Sequence, residues 1–251
     1  MPPATSRTKR AAPRTAQVAE HLKAYIVERG LRPGDRLPGE AELIAALGKS
    51  KGTVREAMRI LGAQGLIRTR TGPGGGVFVA DVSADHAVSL LANFFYFRDL
   101  SIDDLYQLRI LLEPELAASV AGRIPPETME RFRAETTRFD SPPATAEEER
   151  EQHVASLAFH RDLAELCPNP LLAFVVGFIA KTLSDLTVFR RLYEPRNLEL
   201  WAMGHDYHAR LLDALERGDA DSARAIMRDH MQAALRLMRD QEVKVAKRFL
   251  A

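Results

Sequence analysis

The chain has 251 residues, 46% of them hydrophobic, with 35 Lys+Arg against 34 Asp+Glu and a single cysteine. That is enough apolar material for two packed domains or one large one. The lone Cys167 excludes an internal disulfide and fits a reducing cytoplasm, and the longest apolar run, Leu171 to Ala180, falls far short of the ~20 residues that span a bilayer.

The near-neutral balance conceals an asymmetry. Residues 1–80 carry 14 Lys+Arg and 6 Asp+Glu, the remainder 21 and 28, so a basic head is joined to an acidic body, as expected where one end of a chain meets phosphate. Residues 1–14 are rich in Pro, Ala and Arg without an apolar core stretch; they read as a disordered basic arm, neither a signal peptide nor a membrane anchor. Glu40 to Leu47 places Ala41, Leu43, Ile44 and Leu47 at helical spacing, and Gly48 follows as the stop. Ser50 is a good N-cap for a second helix that buries Val54, Ala57, Met58 and Leu61 and crowds Lys51, Gly52, Thr53 and Arg55 into its first turns. Leu66 to Arg70 and Val77 to Ala80 read as short strands around the turn Thr71-Gly72-Pro73-Gly74-Gly75-Gly76. The spacing predicts a winged helix-turn-helix over residues 15–80 whose second helix reads the major groove.

From Ala80 onward the pattern is helical. Helices are predicted over Ser83 to Arg98, Ser101 to Arg123 with a kink at Pro114, Pro126 to Asp140, Ala146 to Leu166, Pro170 to Tyr193, Arg196 to Arg217 and Ala220 to Phe249, making residues 81–251 an all-α bundle. His160, His208 and His230 fall on three of these helices, each near an apolar stripe. A lone histidine so placed is usually a satisfied core residue, but three can converge on Zn²⁺, Ni²⁺ or another divalent transition metal. Arg109 can hold a small carboxylate with its two-pronged guanidinium, or pair with Glu113 one turn along the same helix.

The stretch PGDRLPGEAELIAALGKSKGTVREAMRILGAQGLIRTRTGPGGGVFVA resembles the DNA-binding motif of the GntR superfamily of bacterial transcription regulators, over roughly Thr15 to Ala80. The resemblance implies DNA contacts from Arg36, Ser50, Lys51, Gly52, Thr53, Arg55, Arg59, Thr71 and Gly72. Arg55 matches the operator-contacting arginine of the FadR-type branch, and Lys51 stands where that branch usually has arginine. Gly39, Ala41 and Gly52 depart from the residues frequent there, which alters the operator read rather than the binding mode, since lysine reads guanine less strictly than bidentate arginine.

LRILLEPELAASVA, FHRDLAELCPNPLL and YHARLLDALERGDADSARAIMRDHM resemble, in order, the FCD ligand-binding domain of FadR-type regulators. That resemblance implies effector contacts from Arg109, Ser156, His160, His208 and His230 and a metal held by His160, His208 and His230. Metal-binding members begin their ligand set with aspartate at D-x-x-x-H; here that position is Ser156. His153 and His205 are the other imidazoles near the mapped positions. The expected protein is a cytoplasmic homodimer on a palindromic duplex operator, binding a small organic acid in its helical domain, and a repressor is the commoner arrangement in that family. The rival is a metal-dependent enzyme using the three histidines; no HExxH, GxSxG or phosphate loop accompanies them.

Overall fold

The computed structural model describes residues 13–81, 83–96, 98 and 100–249. They form two compact units divided between Leu90 and Leu91.

The first unit runs α1 (Arg14–Glu28), β1 (Arg36–Leu37), α2 (Glu40–Leu47), α3 (Lys51–Ala63), β2 (Ile67–Arg70) and β3 (Gly76–Val79), with α4 (Ala84–Tyr96) crossing the division. Between α2 and α3 the chain reverses at Gly48, whose φ of 58° is left-handed and admits glycine at little cost. Ser50 then caps α3, its Oγ accepting from the Thr53 N–H at 3.3 Å. The strands form one antiparallel sheet of order β1-β3-β2. Leu37, Ile67, Val77 and Val79 turn inward onto Val18, Leu22, Leu43, Val54 and Leu61, so one face of the sheet and one stripe of each helix share a core. At the hairpin tip a Cβ on Gly75 would sit 2.6 Å from the Arg70 carbonyl, so the turn demands glycine there.

Two elements of this unit carry no clear sequence signal. Helix α1 begins at Arg14, the last residue of the expected arm, whose other residues up to 12 lie outside those described. Strand β1 is only two residues long, too short to show alternation, yet it supplies the third strand.

The second unit contains α5 (Ile102–Val120), α6 (Pro126–Arg138), α7 (Ala146–Glu165), α8 (Pro170–Phe189), α9 (Leu198–Glu216) and α10 (Ala220–Phe249). Ser101 caps α5 in a box with Asp104, and Pro114 lies within that helix. Leu116, Phe132, Leu163, Leu211, Leu215 and Met227 meet at the centre of the bundle. Helix α8 stops at Phe189, short of the predicted Tyr193: Arg191 takes a φ of 52° and Leu192 N–H bonds the Thr187 carbonyl, closing the last turn. Although α8 is long and apolar enough to cross a membrane by composition, it packs on α7 and α5 and buries Val176, Ile179, Ala180 and Leu183.

Candidate functional site

In the first unit, Lys51, Gly52, Arg55 and Arg59 are exposed along α3, with Ser50 at its N-cap and Thr53 half-buried. The basic heads are not loose. Glu40, at the start of α2, accepts from Arg55 Nε at 2.7 Å and lies 3.8 Å from Lys51 Nζ, while Arg59 pairs with Glu56 at 2.6 Å. These exposed pairs contribute little to stability, but they fix where the cations stand along the helix. Thr71 and Gly72 are exposed at the wing tip, and Arg36 donates from Nη2 to the Gly75 carbonyl at 3.3 Å, bracing the tip against β1.

In the second unit, a cavity of about 310 Å³ is lined by Arg109, His153, Ser156, His160, His208 and His230, among others. That volume suits a small metabolite. Helix α5 contributes Arg109, α7 contributes Ser156 and His160 one turn apart, α9 contributes His208 and α10 contributes His230. The three histidines are buried, and their nearest ring nitrogens all lie within 4.8 Å of one another. Ring centroids are 5.1 to 5.3 Å apart.

The chemistry of these nitrogens fits a metal. His208 Nε2 and His160 Nε2 are 3.2 Å apart, close to the roughly 3.4 Å edge of a tetrahedron with bonds of about 2.1 Å. Both ring nitrogens of His230 are buried without a hydrogen-bond partner among the described residues, a costly state for which a ligand is the usual remedy. Burial, followed by the neighbouring His160, keeps His208 well below the usual imidazole range; burial and then His208 do the same to His230, and burial also lowers His160. Neutral imidazoles are the form that binds cations.

Behind this cluster stands Glu113, which the sequence pattern shows only as a partner for Arg109. Its Oε1 accepts from Arg109 Nε at 2.6 Å, and its Oε2 lies 2.6 Å from His160 Nδ1, off the ideal hydrogen-bond axis and with no other partner among the described residues. All three side chains are about 98% buried. Burial alone pushes the Glu113 carboxyl up, but Arg109 and His160 outweigh it and hold it at about 2. A carboxylate there assigns the proton of His160 to Nδ1 and leaves the Nε2 lone pair toward His208 and His230, the carboxylate–histidine arrangement of metal sites. Arg109 therefore makes the ion pair that is one of its two expected roles and also meets Tyr106, while its Nη2 is buried without a hydrogen-bond partner among the described residues; Arg109 itself lines the cavity.

Other wall groups share this incompleteness. Glu149 Oε2 and Gln152 Oε1 are buried acceptors without a donor among the described residues; burial raises the Glu149 carboxyl, against the Asn197 N–H that bonds it. His153 and His205 do not join the cluster: His153 Nε2 meets the Thr187 hydroxyl at 3.3 Å, and His205 Nε2 meets Asp140 at 2.6 Å.

Two family models match the chain, one in each unit. Residues 104–233 match a family model described as "FCD domain", and residues 14–79 one described as "Bacterial regulatory proteins, gntR family". The HTH-type transcriptional repressor NanR of Cronobacter sakazakii is 28% identical over 221 residues, covering 86% of this chain and 82% of that protein. The HTH-type transcriptional regulator LutR of Bacillus subtilis is 25% identical over 207 residues, covering 80% and 90%. The Glc operon transcriptional activator of Escherichia coli is 25% identical over 244 residues, covering 90% and 89%. Among solved structures, the Streptococcus agalactiae GntR structure shares the fold with a TM-score of 0.60 at 22% identity, covering 88% of this chain and 99% of that one.

Proposed function

Because the chain belongs to the FCD-containing branch of the GntR family of bacterial regulatory proteins, whose members are DNA-binding transcription regulators and not enzymes, we propose that it is a repressor controlled by a small hydroxylated carboxylate bound in its helical unit. The observation that carries this reading is the incomplete polar wall of the cavity. Among the described residues, Arg109 Nη2 has no acceptor, Glu149 Oε2 and Gln152 Oε1 have no donor, and neither ring nitrogen of His230 has a partner. An anion satisfies the guanidinium, and hydroxyl groups satisfy the two acceptors. An apolar ligand would leave each buried group unpaired, at about 1 to 3 kcal/mol apiece.

In this reading Arg55 and Lys51 contact bases, with Ser50, Gly52, Thr53, Arg36, Arg59, Thr71 and Gly72 around them on the duplex, and two copies of the chain in the cytoplasm match a palindromic operator. Repression follows the relative named a repressor; a relative named an activator carries the opposite sign, and a promoter-reporter assay on the deletion strain separates them. His160, His208 and His230 hold a divalent ion of the Zn²⁺ or Ni²⁺ type. Bound there, such an ion would supply a fixed positive charge that attracts the effector's carboxylate. The chain's own residues do the rest: Arg109 orients the carboxylate, Glu113 fixes the His160 ring, and the packed helices exclude water.

Ser156 offers a hydroxyl one helical turn before His160, a poor ligand beside a carboxylate. Metal analysis after mild purification is expected to find close to one ion per chain. Ser156→Asp is expected to retain it longer against a chelator, because aspartate adds a charged oxygen donor on the same helix face. Metal-free protein whose affinity for a selected duplex ignores added Zn²⁺ and Ni²⁺, with and without carboxylates, would contradict the metal assignment.

A further inference from the structure

The three clustered histidines are not held alike. Glu113 faces His160 with its carboxylate, 2.6 Å from Nδ1. The Phe159 ring lies on His208, with centroids 4.3 Å apart and planes 30° from parallel. For His230 both ring nitrogens are buried with no hydrogen-bond partner among the described residues, so no such contact there sets the angle of its ring. Rotation about the Cβ–Cγ bond of a histidine is broad and nearly two-fold, unlike the sharp wells of an aliphatic torsion. The orientation of His230 must therefore come from packing.

Tyr207 supplies that packing. It stands on α9 immediately before His208, and about 100° of helical turn between neighbours aims the two side chains at different partners. His208 enters the cluster, while the Tyr207 ring lies on His230 of the adjoining helix α10, with centroids 5.2 Å apart and planes 28° from parallel. The His160 ring is also near-parallel to His230, at 5.3 Å and 21°. Both are stacks of the offset kind that rings favour at such separations. Tyr207 is half-buried, and the Arg210 guanidinium, one turn along α9, lies 5.3 Å from its ring centroid and helps to keep it in place. The cavity wall includes Phe159 and the three histidines but not Tyr207. Its ring is thus placed against a histidine and not against an effector.

On the reading that these histidines hold a divalent ion, we propose that Tyr207 is a positioning residue of the site, whose ring fixes the plane of the His230 imidazole so that a lone pair faces the ion before it arrives. A stack holds a ring in its plane but is indifferent to a half-turn about Cβ–Cγ. With no hydrogen bond favouring either nitrogen of His230, Tyr207 sets the plane and leaves the choice between Nδ1 and Nε2 to the ion. Glu113 has the complementary task at His160, where a carboxylate selects the nitrogen. Holding a ligand in its bound orientation lowers the cost of ordering it on binding. Without the Tyr207 ring, His230 samples other planes in the metal-free protein, and binding has to narrow them again. A residue that only filled space would leave the geometry of the ion untouched.

The test uses the full chain, freed of metal by a chelator and titrated with Co²⁺, whose visible absorption reports the geometry of its donors. Tyr207→Leu is expected to weaken Co²⁺ binding roughly 2- to 10-fold, the range to which the energy of one aromatic pair corresponds, and to shift the absorption of the bound ion. Tyr207→Phe keeps the ring without the hydroxyl and is expected to match wild type in both. Tyr207→Ala, whose side chain cannot reach His230, makes the same comparison if the leucine variant does not fold. Wild type that binds Co²⁺, beside a leucine variant with a lower urea midpoint but unchanged affinity and absorption, would make Tyr207 a packing residue only and overturn the proposal alone. A phenylalanine variant as impaired as the leucine one would overturn it as well, because the hydroxyl and not the ring would then matter. If wild type binds no Co²⁺, the metal reading itself is wrong, and the proposal falls with it.

Discussion

Replacing Glu113 with alanine is expected to cost about 3 to 5 kcal/mol of stability, because it strands the Arg109 guanidinium in the interior without a counter-charge. The two residues and His160 form a nearly fully buried set in which one carboxylate serves a cation on its own helix and an imidazole on α7. Glu113→Gln separates folding from ligand chemistry. The amide oxygen can still accept from Arg109 Nε, which turns the NH₂ toward His160 Nδ1 and makes that nitrogen an acceptor. The proton then moves to Nε2, and the lone pair that faced His208 and His230 is gone. Glu113→Gln is therefore expected to keep more stability than Glu113→Ala yet to lose metal affinity 10- to 100-fold, on the order of what removing an outer-shell partner usually costs. Chemical denaturation and metal competition, run on both variants, check this; a glutamine variant that binds metal as wild type does would remove Glu113 from the site.

A second large effect concerns pH. His160, His208 and His230 are buried with their protonated forms disfavoured, and His153 is lowered to about 4 by burial and by Arg109. In the unfolded chain they titrate near ~6.5. Below that value the unfolded state takes up protons that the native state refuses, so stability present above pH ~6.5 is lost as pH falls toward the depressed native values. Each such histidine adds at most about 1.4 kcal/mol of loss per pH unit. Glu113, held at about 2, adds a loss in the same direction between the ordinary glutamate value and about 2. Chelator-treated protein is therefore expected to show a nearly constant urea midpoint from about pH 8 to 7 and a steep fall from about pH 6.5 to 5. A midpoint unchanged between pH ~7 and ~5 would mean that the histidines are hydrated or already charged.

The reading head is the most legible part of the sequence, because its signals are local. Gly48 and Ser50 mark the turn and cap within three residues, and the buried positions of α3 recur at helical spacing. Strand β1 is invisible there because two residues carry no period; its identity comes from pairing with β3, which lies beyond both helices of the reading head in the chain. In the bundle, helix existence is legible and helix ends less so, as at α8, where a left-handed Arg191 overrides a pattern that runs on to Tyr193. The pattern assigns His160, His208 and His230 to three helices, but which faces meet depends on packing among α7, α9 and α10. Glu113 reads along its own helix only as an i,i+4 partner of Arg109, because its second contact crosses to α7 and periodicity has no access to that.

The most direct measurement of the central claim is the affinity of the full chain for its selected duplex, titrated with and without a panel of small carboxylates and their hydroxylated analogues, in the presence of Zn²⁺. At least one hydroxylated acid is expected to shift that affinity by roughly 5- to 150-fold, the range that coupling energies of about 1 to 3 kcal/mol produce. Its analogue lacking the hydroxyl is expected to act more weakly, leaving Glu149 Oε2 and Gln152 Oε1 unpaired. Sequence-specific binding that no member of the panel alters would contradict the account, since a cavity with an unpaired guanidinium nitrogen and two bare acceptors would then have no bearing on the DNA.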